Sequence, residues 1–191
     1  MRRILRGKTV GVAGAGGLGS NCAVALARSG IGSLRIADFD VVSEANLDRQ
    51  YYFLDQVGRP KVEALRDVIA RVDPAVRVET FDGRIDPDSA VAFFAGCAVL
   101  VEAFDDAGAK AMLIRTALDR LPDMPVVAAS GLAGWGADED LKVRRFGRLT
   151  VIGDEERGVS DALPPMAPRV GAVACMQANE VLALLLGPME G

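Results

Sequence analysis

Residues 8–21 read KTVGVAGAGGLGSN. Lys8 to Ala13 is a short apolar run that breaks into a glycine cluster at Gly14, Gly16, Gly17 and Gly19. Leu18, Cys22, Ala25 and Leu26 then recur at helical spacing as far as Gly30, a natural helix terminus. A strand, a glycine turn and a helix in that order open a parallel, doubly wound sheet.

The rest of the chain keeps that rhythm. Ser33–Ala37 reads as a second strand, with Asp38-Phe39-Asp40 at its C-terminal end. Asn46 to Gly58 reads as an irregular loop with one or two helical turns. Pro60–Val72 is a helix whose face carries Val62, Leu65, Val68, Ile69 and Val72. Val76–Phe81 alternates as a strand does, and Asp86-Pro87 caps a helix running to about Phe94. Cys97–Val101 is uniformly apolar, the mark of a strand buried on both faces. A helix over about Ala107–Leu121 and a strand over Pro125–Ala129 complete the alternation.

After Gly131 the pattern changes. Leu141–Arg145 and Leu149–Gly153 predict two antiparallel strands, residues 154–168 are rich in Gly, Pro and Asp, and Arg169–Leu186 predicts a final helix stopped by Gly187-Pro188. The expectation is an α/β fold with a mostly parallel sheet and a small antiparallel C-terminal extension. A chain of 191 residues fits one domain, with a nucleotide-binding part over 8–130 and an extension over 131–191.

Composition removes several chemistries. Histidine is absent, which excludes His-dependent triads, His metal sites and His general bases. Cys22, Cys97 and Cys175 are the only cysteines and form no C-x-x-C pair, so neither a disulfide framework nor a four-thiolate zinc site is expected. A reducing, cytoplasmic compartment fits that usage. The 22 basic and 26 acidic residues leave a net charge of −4, no footprint for nucleic acid or an anionic membrane. The MRRIL start leads into glycines rather than a continuous apolar core, unlike a signal peptide. Val170–Leu186 carries Gln177, Asn179 and Glu180 and reads as too short and polar for a membrane span.

The glycine loop lets backbone approach a phosphate, and the following helix N-terminus offers oriented N–H groups. Asp38, about 20 residues on, stands where a carboxylate accepts from ribose hydroxyls. Taken alone this pattern suits NAD as well as ATP. Asn46, Arg49 and Gln50, followed by Lys61, add two cations and two amides just beyond the second strand. That density suits a triphosphate whose charge must be neutralised as pyrophosphate leaves; the alternative is a solvated loop. Asp105-Asp106 ends the central strand at the ligand edge, where one or both acids could hold Mg²⁺ or simply cap the next helix. Asp40 poses the same question. Trp135 is either a partner anchor or packed among glycines, and the three cysteines read as core residues.

GAGGLGSN, IADFD, NLDRQYYF, GRPKVEAL and EAFDDAGAKAML, in that order, resemble the ThiF/MoeB/HesA family, bacterial relatives of the ubiquitin-activating adenylation domains. VVAASGLAGWG and LPPMAPRVG draw the resemblance toward its short thiamin-biosynthetic branch. The resemblance implies a Rossmann-like fold, a homodimer, and MgATP-dependent adenylation of the C-terminal glycine of a ubiquitin-like sulfur carrier ending in Gly-Gly. It implies that Gly14, Gly16, Gly17 and Gly19 cradle the nucleotide and that Asp38 holds the ribose. Asn46, Arg49, Gln50 and Lys61 would line the phosphates, and Asp105 would hold Mg²⁺. Three departures stand out: no zinc-binding C-x-x-C pairs, no cysteine within 146–168, and few residues ahead of Lys8 from which Arg2, Arg3 or Arg6 would reach a neighbouring subunit. Asp106 also stands where the family commonly has asparagine. The competing readings are an NAD-dependent oxidoreductase and a nucleotide-binding scaffold without turnover.

Overall fold

Thr9–Ala13 (β1) pairs in parallel with Ser33–Asp38 (β2), Thr9 beside Ser33 and Ala13 beside Ala37. On its other side β1 pairs with Val99–Glu102 (β4), placing Ala13 beside Glu102. This register brings the ends of the three central strands to one level, where a ligand sits in a doubly wound sheet. The computed structural model describes residues 1–187. Its seven-stranded sheet runs β3-β2-β1-β4-β5-β7-β6, with β3 Arg77–Asp82, β5 Val126–Ala129, β6 Lys142–Phe146 and β7 Leu149–Gly153. Every neighbouring pair is parallel except β6 with β7. The hairpin turns at Gly147, and its second strand returns to add to β5 in the parallel sense. The fold is the expected Rossmann-like sheet with an antiparallel edge.

Among the described residues six α-helices accompany it: α1 Arg2–Arg6, α2 Gly17–Ser29, α3 Lys61–Val72, α4 Pro87–Phe94, α5 Ala107–Arg120 and α6 Ala167–Leu186. The strand residues sort onto two faces by their period of two. Val10, Val12, Leu34, Ile36, Val99, Val101 and Val127 join side chains of α2, α3 and α6 in one core. Ala13, Ala37, Leu100 and Val126 join those of α4 and α5 in the other. Both faces are therefore dry, which is why β1, β4 and β5 are apolar without alternation. Gly11 makes room in the second core: a Cβ there would lie 2.6 Å from Phe94 Cδ1.

One helix is new and three local expectations need correction. The short helix α1 lacked enough sequence to reveal itself; it forms because Leu5 is buried and its carbonyl accepts from Gly32 N–H. β4 starts at Val99 rather than Cys97, because Gly96 at φ +80° turns the chain there. Cys175 is exposed on α6, not packed. Finally, α6 is long and apolar enough to span a bilayer by count, alone among the described residues, at 20 residues and mean hydropathy 1.3. It instead packs on α2 and the sheet through Val170, Val173, Ala174 and Val181, all buried. Gly187 ends it as expected, and Pro188 of the stop signal lies outside the described residues.

Candidate functional site

The glycine loop is held by three neighbours. Gly14 has φ +99°, its N–H donates to Ala37 O at 2.8 Å, and a Cβ there would stand 2.6 Å from Ala103 O in the chain leaving β4. A Cβ on Gly19 would lie 1.8 Å from Gly14 O, so helix and loop pack backbone to backbone. At Gly17 the neighbour is Val170 Cγ1 of α6, 2.9 Å away. Gly16 differs from all three. The nearest atom to a Cβ there is Gln50 Nε2 at 3.9 Å, so this glycine faces open space. Gly16 is also the N-cap of α2, with no side chain capping the helix and no acid in its first turn. The first N–H groups of α2 are therefore free to bind an anion.

Asp38 closes one side. Its Oδ2 accepts from Ala15 N–H at 2.6 Å and its Oδ1 from Asp40 N–H at 2.8 Å. Burial pushes its pKa up, opposed by those two N–H donors and by Lys61. Lys61, at the start of α3, is not a free loop cation: its side chain is only 6% exposed and its Nζ lies 2.8 Å from Asp40 Oδ2. Tyr52, which sequence reasoning passed over, donates its hydroxyl to Ala15 O at 2.7 Å and to Lys61 O at 3.3 Å. It stitches the glycine loop to α3. Its signal in the sequence was only its place in NLDRQYYF.

The 46–50 segment folds over α2. Asn21 Nδ2 donates to Gly17 O and Arg49 O, and Ser20 Oγ accepts from Tyr51 N–H, bringing the loop to the helix N-terminus. Arg49 is half-buried beside Gly17, with Nη1 on Asp48 Oδ1 at 2.7 Å and on Ala45 O at 3.2 Å. Asn46 Oδ1 accepts from Ser43 N–H within a single 3-10 turn. Among the described residues Gln50 Oε1 is buried without a hydrogen-bond partner. Such a group costs roughly 1–3 kcal/mol unless a partner arrives.

The exit of β4 closes the other side. Glu102 is fully buried, with Oε2 2.7 Å from Lys110 Nζ and Oε1 accepting from Phe104 N–H at 2.8 Å. Burial raises its pKa, against the pull of Lys110 and that amide. Asp106 Oδ1 accepts from Ala109 N–H at 2.7 Å and so caps α5. Asp105, one residue earlier, is exposed and has no ion pair among the described residues. The question the sequence left between these acids is divided residue by residue: one caps, one is free.

Other candidates lie elsewhere. Arg6 pairs with Asp73 at 2.5 Å, and α1 precedes β1, at the sheet edge opposite the glycine loop. Trp135 is 70% exposed beside a cavity of about 490 Å³ that Leu141, Pro168 and Met176 help to line. Asp154 and Arg169, both buried, pair at 2.6 Å and anchor the 154–168 segment to α6. Burial pushes the Cys22 thiol up, as it does Cys97, to about 11. Neither is a ready nucleophile.

The ThiF family matches residues 1–191, and the chain belongs to it. It is 30% identical over 186 residues to the molybdopterin-synthase adenylyltransferase of Salmonella typhimurium, across 95% of this chain and 74% of that protein. It is 37% identical over 125 residues to the tRNA threonylcarbamoyladenosine dehydratase of Escherichia coli, across 64% of this chain and 46% of that one. The crystal structure of the Escherichia coli tRNA N6-threonylcarbamoyladenosine dehydratase in complex with AMP superposes with a TM-score of 0.86 at 22% identity. The match covers 97% of this chain and 88% of that one. At that identity the likeness is one of fold.

Proposed function

We propose that this ThiF-family enzyme uses MgATP to adenylate the C-terminal glycine carboxylate of a small ubiquitin-like sulfur carrier ending in Gly-Gly. The observation that carries the reading is the open face of Gly16. It joins an uncapped α2 N-terminus to the Gln50 amide nitrogen, which lies 3.9 Å from where a Gly16 Cβ would stand, between Asp38 on one side and Asp105 on the other. A cradle that only a missing Cβ keeps open, with the α2 N–H groups and the Gln50 amide nitrogen at its floor, fits a polyphosphate.

In this reading Asp38 holds the ribose, still fixed by Ala15 N–H. The phosphates lie along Gly16 and the α2 N-terminus, with Asn46, Arg49 and Gln50 above them. Lys61 acts from its pair with Asp40, its charge directed at the same end of the sheet. A divalent cation, when bound, neutralises charge on the triphosphate oxygens, and Asp105 is the free carboxylate that fits magnesium's habit of taking one or two. The carrier carboxylate attacks the α-phosphorus and pyrophosphate departs. The attacking group is already ionised, so no base is required, and the work is positioning and charge neutralisation. That suits a chain without histidine.

Residues 1–191 then act as one adenylation domain, 8–130 holding nucleotide and 131–191 completing the sheet. The protein would work as a cytoplasmic homodimer, and the resemblance of residues 126–136 and 163–171 to the thiamin-biosynthetic branch makes a thiazole-forming sulfur carrier the first candidate. The similarity to a tRNA dehydratase supports a second reading, in which the activated acceptor is carried on tRNA. ATP–pyrophosphate exchange decides between them. Exchange that requires a Gly-Gly-ended carrier supports the proposal, and exchange that requires tRNA moves it to the second reading. ATP binding with no exchange makes the protein a scaffold. Thermal stabilisation by NAD but not MgATP returns it to the oxidoreductases; a ligand at 100 times its Kd adds about 2.7 kcal/mol.

A further inference from the structure

Five contacts immobilise the chain between β4 and α5. Glu102 O accepts from Gln177 Nε2 of α6 at 3.1 Å, and Ala103 N–H donates to Ala13 O at 2.8 Å. Phe104 N–H donates back to Glu102 Oε1, Asp106 caps α5, and Lys110, one turn further on, returns to Glu102 Oε2. The Glu102 side chain thus touches both ends of the segment that carries Asp105. It does so with no exposure at all, while Lys110 keeps 23%. A buried ion pair is a poor stabiliser: apolar residues of similar volume usually hold a fold as well or better, because two charges no longer need desolvating. What the pair supplies that leucine could not is direction, since one carboxylate grips an amide and an ammonium at once.

We infer that Glu102 is a positioning residue, which through the Phe104 amide and Lys110 aims Asp105 at the divalent cation on the triphosphate. This rests on the proposed role of Asp105. The test measures binding of the non-hydrolysable analogue adenosine 5′-(β,γ-imido)triphosphate by calorimetry, in magnesium and in EDTA. The readout is the ratio of the two affinities. Groups that orient a metal ligand typically contribute 10–100-fold to metal affinity. Glu102→Gln is therefore expected to cut the magnesium enhancement roughly tenfold or more, and Asp105→Asn to do the same. For the Glu102 variants, affinity in EDTA should stay at the wild-type value, which a general loss of structure would lower. The double variant Glu102→Leu with Lys110→Met removes both charges together, folds without a stranded ion, and should show the same loss. If Asp105→Asn loses the enhancement while both Glu102 variants keep it, the positioning role is wrong and the metal role of Asp105 stands. If Asp105→Asn keeps it, or the wild-type protein shows none, the role of Asp105 fails and this inference with it.

Discussion

Gly16 and Gly19 lie three residues apart in one motif, yet an alanine should act oppositely at the two. At Gly19 the new methyl would sit 1.8 Å from Gly14 O, and since the closest comfortable C···O approach is about 3.3 Å, the deficit is about 1.5 Å. No side chain can turn aside, because the obstacle is backbone. The loop must lift off α2, which strains the Gly14 N–H bond to Ala37 O and the Ala15 N–H bond to Asp38. Overpacking costs about 1–3 kcal/mol, and losing a hydrogen bond to a buried carboxylate costs about 1.5–3 more. A total near 4 kcal/mol in a chain of this size lowers Tm by roughly 8–16 °C. At Gly16 the nearest atom is 3.9 Å away and φ is −77°, so alanine fits. It costs at most about 1 kcal/mol of N-cap preference, or roughly 2–4 °C. Its methyl nevertheless projects into the space where phosphate oxygens would approach. Thermal melting of both variants, each with and without MgATP, is the assay. Gly19→Ala should melt far below wild type, and Gly16→Ala near it but with the nucleotide-induced rise gone. A Gly19→Ala protein melting within about 2 °C of wild type, or a Gly16→Ala protein still stabilised fully by MgATP, would refute the reasoning.

The adjacent acids should separate in the same way: Asp106→Ala removes the α5 cap and about 1 kcal/mol of stability, whereas Asp105→Asn leaves Tm unchanged and abolishes magnesium-dependent exchange. Asp154→Asn strands a buried Arg169 and should cost about 3–5 kcal/mol in denaturant unfolding. Burial pushes the Asp154 carboxyl up, but the Arg157 and Glu156 amides and the Arg169 guanidinium outweigh it and hold it below the ordinary value. Its contribution is therefore present above about pH 4 and lost as pH falls through the lower folded value, a loss that wild type shows and Asp154→Asn lacks. In thiol labelling of the native protein only exposed Cys175 should react rapidly, with Cys22 and Cys97 joining in denaturant. Fast native labelling of Cys22 would contradict its complete burial.

Much of this was legible beforehand because the signals are local. The apolar runs at 9–13, 99–101 and 126–129 are strands because both faces of a parallel sheet are dry, and Gly30 ends α2 because only a left-handed residue satisfies the last carbonyls. The acid at the end of β2 and the glycines before α2 were likewise readable, since a strand–turn–helix unit brings residues within about 25 positions together through its own geometry.

What the sequence could not give was commitment. Arg49 and Lys61 look equivalent as cations, and Asp105 and Asp106 as acids; only the fold shows that Lys61 is buried on Asp40 and that Asp106 is spent on a cap. The roles of Glu102, Tyr52 and Gln177 were invisible for the same reason, because their partners lie 8, 37 and 75 residues away. Periodicity records which side of an element faces the core. Which hydrogen-bonding group meets which is set by how distant elements pack, so the amino-acid order determined the architecture and the list of available chemical groups. Tertiary structure alone decided which of those groups are left free to bind.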